Sequence, residues 1–488
     1  MNRAIIRYIL GSVLKIEAAL MLFPFVVSIF YQEKEGLPFL LVALISGILG
    51  ILLTVKKPQN QVFYLKEGCI ITSLSWILLS IVGALPFVLT GEIPSFTDAL
   101  FETVSGFTTT GASILSDVEA LSHASIFWRS FTHWIGGMGV LVFLMAIVPL
   151  SGGSNIHLMK AESTGPSVGK LVPKMRQTAR LLYLIYIGLT VIEIILLLIG
   201  GTSMFDSLTL TFGSVGTGGF GIKNSSCADY SPYVQWIITI FMIASGINFN
   251  AYYLIVFRQF KKAFSMEEVR AYLGIILVAA GIIFSELVQT SMNAADALRH
   301  ALFQVGSIIT TTGYSTADFN EWTGVSKTIL VFLMFIGACA GSTGGGIKVS
   351  RFITVFKTIG KEISSYIHPR SIKKIKMDGK PIEHEIIRAT NVYFITFIVI
   401  FSISLFIISW EEKDLVTNFT AVAATLNNIG PGLAMVGPVQ NFGHFTALSK
   451  YVLMFDMLAG RLELFPMLLL FVPTIWKEFF THTKKKRH

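Results

Sequence analysis

Cysteine is scarce. The 488 residues hold three, Cys69, Cys227 and Cys339, widely spaced and odd in number, which excludes a disulfide framework and a cysteine metal cluster. Charge is scarce too: 14% of residues are Asp, Glu, Lys or Arg, against 53% hydrophobic, and the mean hydropathy is +0.68. A soluble domain of this size could not bury that much apolar surface. Ordered catalytic groups are missing as well. His384-Glu385-Ile386-Ile387-Arg388 opens like a zinc-protease helix but lacks the second His, and no nucleophile stands beside a base. Neither an enzyme nor an organic cofactor is expected.

What the chain has is apolar runs long enough to cross about 30 Å of hydrocarbon, recurring from end to end. The first, Ala4–Phe30, exceeds a signal-peptide core and reads as a retained helix. The net charge of +9 is unevenly placed. Basic residues gather in alternate loops: Arg3, Arg7 and Lys15; Lys56, Lys57 and Lys66; Lys160, Lys170, Lys174, Arg176 and Arg180; Arg258, Lys261 and Lys262; Lys348 to Arg388; and Lys484 to Arg487. The intervening loops carry acids, among them Glu33, Asp98, Asp117, Asp206, Asp229, Asp318 and Glu411. The positive-inside rule puts the basic loops and both termini in the cytoplasm. Topology and anionic membrane lipids account for the charge, so no nucleic-acid partner is expected.

The chain also repeats itself. Ala99–Ser113, ALFETVSGFTTTGAS, aligns with Ala301–Ser315, ALFQVGSIITTTGYS. Weaker copies end at Val215-Gly216-Thr217-Gly218 and Asn427-Asn428-Ile429-Gly430. The predicted organisation is two N-terminal helices (about 4–30 and 37–54, within 1–60), then four units at about 61–160, 161–263, 264–380 and 381–488. Each unit has an outward helix, a short segment, a Gly loop and a helix running back. The return helices are expected at about 124–150, 232–257, 324–356 and 447–476. The short segments, about 11–15 residues, cannot span, so they enter and leave on one face. Such re-entrant backbone is tolerated where it lines a cavity. The predicted fold is an all-α polytopic membrane protein with four M1–P–M2 pore-loop repeats in pseudo-four-fold arrangement, plus the two N-terminal helices. Asp98 and Asp206 are expected to cap their short helices, whose C-terminal dipole ends then favour a cation.

The loops contain neither carboxylate nor His, which favours carbonyl oxygens replacing the water shell of a weakly hydrated monovalent cation. Their final Gly permits a left-handed backbone at low cost. With four such loops in one register, the chain resembles the membrane subunits of the Trk/Ktr/HKT superfamily of potassium transporters over essentially its whole length. The resemblance implies K⁺ as the transported ion, taken up across a bacterial-type cytoplasmic membrane. Its selectivity filter carries over onto Thr109, Thr110 and Gly111; Gly216, Thr217 and Gly218; Thr311, Thr312 and Gly313; and Asn428, Ile429 and Gly430. It implies one principal ion site, and the unequal loops make some Na⁺ or Rb⁺ passage plausible. It also implies a homodimer and a cytosolic nucleotide-binding regulatory ring of the TrkA/KtrA type.

Unit three's return helix is interrupted by Gly341-Ser342-Thr343-Gly344-Gly345-Gly346-Ile347-Lys348. Three consecutive glycines should break a membrane helix. Ile347 before the Lys departs from a Walker A loop. Tight helix packing on small residues is one reading; a flap below the filter is the other. The resemblance implies an intramembrane gating loop here, carried over onto Gly341, Gly344, Gly345, Gly346 and Lys348. Arg461, inside the last spanning segment, should face the interior or a partner, with Asp456 and Glu463 as candidates in a structural ion pair. The resemblance implies instead a pore barrier under the filter. Arg129 and His133 fall near the outer interface and read as snorkelling and packing residues; Gly136 and Gly137 read as sites of close helix approach. An ion-coupled secondary transporter with broken helices is the alternative.

Overall fold

The computed structural model describes residues 1–59, 63–139, 175–370 and 374–480. Lys160, Lys170, Lys174, the basic residues Lys484 to Arg487 and the inner end of the first return helix lie outside them, as does the side chain of Arg176. The described chain is helical apart from a two-residue hairpin pairing Lys376–Met377 with Lys380–Pro381. Asp378 and Gly379 supply the two left-handed turn residues (φ 51° and 77°) that a tight hairpin needs.

Among the described residues six helices are long and apolar enough to cross a membrane, or seven counting one bent pair. Two are N-terminal, Arg3–Tyr31 and Gly36–Thr54. The first is interrupted at Met21, where Pro24 has no N–H for the Leu20 carbonyl. The two pack tightly through glycine: a Cβ on Gly11 would sit 2.7 Å from Leu53 Cβ, and one on Gly50 2.8 Å from the Gly11 oxygen. The other four are Leu65–Thr90, Arg180–Ile199, Glu267–Gln289 and His384–Glu411. Their outward surface is apolar. In the last, Tyr393, Phe397, Ile400, Ser404 and Ile408 form the buried stripe, while Ile395, Ile398 and Phe406 are exposed. An all-round apolar helix exposed on one side is suited to lipid.

After each of these four comes a short helix: Phe96–Phe107, Met204–Val215, Ala294–Ile309 and Leu415–Leu426. At 1.5 Å per residue none reaches about 30 Å. Their N-caps are Ser95, Ser203, Asn293 and Asp414, which corrects the expectation for Asp98 and Asp206. Asp98 instead pairs with Lys450 at 2.5 Å, and Asp206 accepts from Ser203 and from Tyr230. The Thr417 hydroxyl and amide hold the Asp414 carboxyl below its usual range.

The return helices start alike. Ser122, Ser231, Thr323 and Thr446 each accept from the amide three residues on. The helices then end at Met138, Ser245, Ile336 and Arg461, so the continuous runs expected at 232–257 and 447–476 are broken. In unit two, Pro232–Ser245 and Phe249–Val256 meet at 96°. A Cβ on Gly246 would overlap the Tyr272 hydroxyl, and the Asn248 side chain starts the new helix by accepting from the Asn250 amide at 2.9 Å. In unit four, Glu463 and Leu464 adopt left-handed φ values of 61° and 66°, a strained pair, before Pro466 opens a new helix where its missing N–H costs nothing. Unit three breaks over Gly337 to Lys348, four residues wider than the glycine run itself suggested.

Candidate functional site

Each short helix ends in the same backbone figure. In the first loop the amides of Thr108, Thr109 and Thr110 bond to carbonyls four, three and five residues back: Val104, Gly106 and Ser105. The pattern repeats at Gly216, Thr217 and Gly218, at Thr310, Thr311 and Thr312, and at Asn427, Asn428 and Ile429. The second position is always left-handed: φ is 55° at Thr109, 53° at Thr217, 60° at Thr311 and 56° at Asn428. So is the fourth: 80° at Gly111, 78° at Gly219, 87° at Gly313 and 99° at Gly430.

This corrects the second loop by one residue. The equivalent of Gly111 is Gly219, not Gly218; Gly218 stands with Thr110, Thr312 and Ile429. Two independent contacts agree. A cavity of about 170 Å³ is bounded by Gly111, Gly219, Gly313 and Gly430, and Gly218 is not among its lining residues. A Cβ on Gly218 would strike the His133 ring instead.

The four fourth-position glycines contact one another's loops in a closed order. A Cβ on Gly111 would fall closer than 3.0 Å to the carbonyl oxygen of Gly218, on Gly219 to that of Thr312, on Gly313 to that of Ile429, and on Gly430 to that of Thr110. Loop one meets two, two meets three, three meets four, and four returns to one. Side chains are excluded at these positions twice over, by φ and by backbone that cannot give way.

Hydroxyls brace the loops. Thr108 bonds Thr110 at 2.8 Å, and Thr310 bonds Thr312 at 2.8 Å. The Asn428 amide reaches Thr110 Oγ1 at 2.9 Å and the Met457 carbonyl at 2.8 Å.

Under the loops sits the stretch from Gly337 to Lys348. The Gly345 amide donates to Thr311 Oγ1 at 2.6 Å. A Cβ on Gly344 would lie 2.8 Å from the Thr310 oxygen, and one on Gly345 2.7 Å from the Asn427 oxygen. Lys348, buried with φ 88°, donates through Nζ to the Gly344 and Gly345 carbonyls. Gly341 (φ 69°) meets only Asn248, at 3.5 Å. The stretch therefore packs directly on loops three and four.

Arg461 is buried and reaches carbonyls: Thr343 at 2.8 Å, Gly136 at 2.6 Å and Gly137 at 2.9 Å. It ties the interrupted stretch to the end of the first return helix. Of the partners expected for it, Asp456 accepts from Ser404 at 2.7 Å, and Glu463 pairs with Arg351.

Arg129 and His133, expected at the interface, are buried behind the loops. Arg129, 3% exposed, pairs with Glu102 at 2.5 Å, donates to the Gly221 carbonyl at 2.8 Å, and lies 3.7 Å over the Phe220 ring. Glu102 also accepts from the Ile114 amide at 3.0 Å. His133 Nε2 accepts from the Phe220 amide at 3.2 Å, so the proton sits on Nδ1, 2.9 Å from the Gly106 carbonyl. Together they splint the exit of loop two to that of loop one. Gly136 and Gly137 fit beside Phe107 and Gly216, the close approach expected of them, and additionally hold Arg461.

Comparison with known proteins places this geometry. The family model TrkH, described as a cation transport protein, matches residues 39–278 and 266–480. The Trk system potassium uptake protein TrkH of Salmonella typhimurium is 35% identical over 486 residues, covering 98% of this chain and 99% of the relative. The Trk system potassium uptake protein TrkG of Escherichia coli is 31% identical, covering 97% and 98%. The crystal structure of the potassium transporter TrkH from Vibrio parahaemolyticus superposes with a TM-score of 0.87 at 31% identity, covering 98% of this chain and all of that one. The chain is an all-helical membrane protein with several apolar spans and a broken helix, and it belongs to the TrkH family of cation transport proteins.

Proposed function

We propose that this chain takes up K⁺ through a gated pore whose filter is the ring of four loops. One observation carries the reading: the closed cyclic contact of Gly111, Gly219, Gly313 and Gly430 with the preceding-position carbonyls of the neighbouring loops. Four short helices end there, and their C-terminal dipoles favour a cation. The loops offer carbonyl oxygens and no carboxylate, chemistry suited to a weakly hydrated monovalent ion. On this reading units 61–160, 161–263, 264–380 and 381–488 are four M1–P–M2 repeats around a pseudo-four-fold axis, with 1–60 as an added hairpin. The third position is unequal (Thr110, Gly218, Thr312, Ile429), so Na⁺ and Rb⁺ are expected to pass to some extent.

The stretch from Gly337 to Lys348 is the gate, seated against loops three and four. Arg461 is a fixed positive charge on the inner side that opposes a permeating cation and fastens the gate. The protein functions in a bacterial cytoplasmic membrane with both termini inside, as a homodimer, under a nucleotide-binding ring of the TrkA type docked on the basic cytoplasmic face. The names of the relatives and the basic exposed residues Lys374, Lys376 and Lys380 support this assignment.

Sealed liposomes test it. Purified chain should admit ⁸⁶Rb⁺ passively down an outward K⁺ gradient, with no second ion. Uptake that requires a proton or Na⁺ gradient would favour an ion-coupled transporter, for which the broken return helices are the supporting feature.

A further inference from the structure

Glu268 stands one residue into the helix Glu267–Gln289 and is 6% exposed. Its Oε1 accepts from two amides on opposite sides of the glycine run Gly341 to Gly346, Ala340 at 2.6 Å and Ser350 at 3.2 Å. Its Oε2 accepts from Asn248, in the break of the second return helix, at 3.3 Å. The base of the stretch is further closed by the Lys348 amide on the Ile336 carbonyl (3.0 Å) and the Val349 amide on the Ala338 carbonyl (3.1 Å). Both feet of a glycine loop thus converge on one carboxylate oxygen. The apex, Gly344 and Gly345, lies beneath the filter loops.

We propose that Glu268 is the positioning residue of the gate, the fixed point about which its apex seats and unseats. This rests on the reading of Gly337 to Lys348 as the gate. A glycine loop has little intrinsic preference for one shape, so its seated form depends on what pins its ends. A carboxylate accepting backbone N–H bonds is a strong pin. The Asn248 contact adds a second consequence: the break in unit two and the gate in unit three share one anchor, so they move together.

The test is single-channel recording of the purified full chain without a regulatory partner. Glu268→Ala frees both feet and should raise open probability about tenfold, the scale of losing one charge-assisted hydrogen bond. Unitary conductance and reversal potential should stay unchanged, since the filter is untouched. Glu268→Gln keeps an oxygen for the two amides but loses the charge, so its open probability should fall between those of the parent and Glu268→Ala. Should Glu268→Ala fail to fold, Asn248→Asp serves. It preserves the acceptor for the Asn250 amide but sets a like charge against Oε2, and it should also raise open probability. Unchanged gating in the folded variants, or Glu268→Gln gating like Glu268→Ala, overturns the anchor role. Absence of K⁺-selective current in the parent would overturn the pore reading instead.

Discussion

Gly219 lies so close to the carbonyl oxygen of Thr312 that no side chain fits between them. For Gly218, its neighbour, the nearest atoms belong to the ring of His133. Backbone cannot yield, whereas a side chain can be shortened. Alanine at 219 also meets a left-handed backbone, at about 1–2 kcal/mol. Gly219→Ala should therefore abolish selective ⁸⁶Rb⁺ flux whatever stands at 133. Gly218→Ala should be partly relieved by His133→Ala. A double-mutant cycle on flux checks this: coupling is expected between 218 and 133 and none between 219 and 133.

Arg129 and Glu102 form a fully buried pair behind the first two loops. Removing one member strands the other charge, typically at about 3–5 kcal/mol. Arg129→Ala should sharply lower the thermal midpoint in detergent. Replacing the pair together, with Gln at 102 (as Gln304 occupies the matching place in unit three) and Leu at 129, should recover part of the loss.

Arg461 does two things that recordings separate. On the proposed reading its charge opposes the ion, and its three carbonyl contacts fasten the gate to the first return helix. Arg461→Ala should raise both unitary conductance and open probability. Arg461→Lys keeps the charge but loses the planar fork, so open probability should rise while conductance changes little.

Gly345→Ala would put a methyl 2.7 Å from the Asn427 oxygen and 3.0 Å from Asn428 Cβ. The gate could no longer seat, and partner-free flux should rise several-fold. Gly341→Ala meets only Asn248, at an ordinary contact distance of 3.5 Å, so its effect should be limited to the cost of its φ, about 1–2 kcal/mol.

The all-helical membrane fold was legible in the sequence because hydropathy marks the apolar spans, and the matching short helices of units one and three because the Thr-Thr-Thr-Gly loops repeat. The second loop was misread by one residue because Gly218 and Gly219 form a doublet, and only φ and the packing around each glycine tell them apart. The breaks after Ser245 and Arg461 were not legible: Gly246-Ile247-Asn248 and Leu462-Glu463-Leu464 carry no glycine run, and tertiary contacts from Tyr272 and Arg351 shape them. Depth also says nothing about which way a residue faces, so Arg129 and His133 read as interfacial. A signal was present. Glu102 is an acid in the middle of a short apolar helix, and an Arg lies in the same unit; buried opposite charges tend to find each other. Glu268 left no trace, since an acid in the first turn of a helix is ordinary.

The most direct measurement is the reversal potential of the purified chain in a planar bilayer with K⁺ on one side and Na⁺ on the other. The account predicts a potential displaced well toward that of K⁺, short of ideal selectivity, and independent of a pH gradient. A potential near zero, or one that follows the pH gradient, would contradict a carbonyl-lined K⁺ filter at Gly111, Gly219, Gly313 and Gly430.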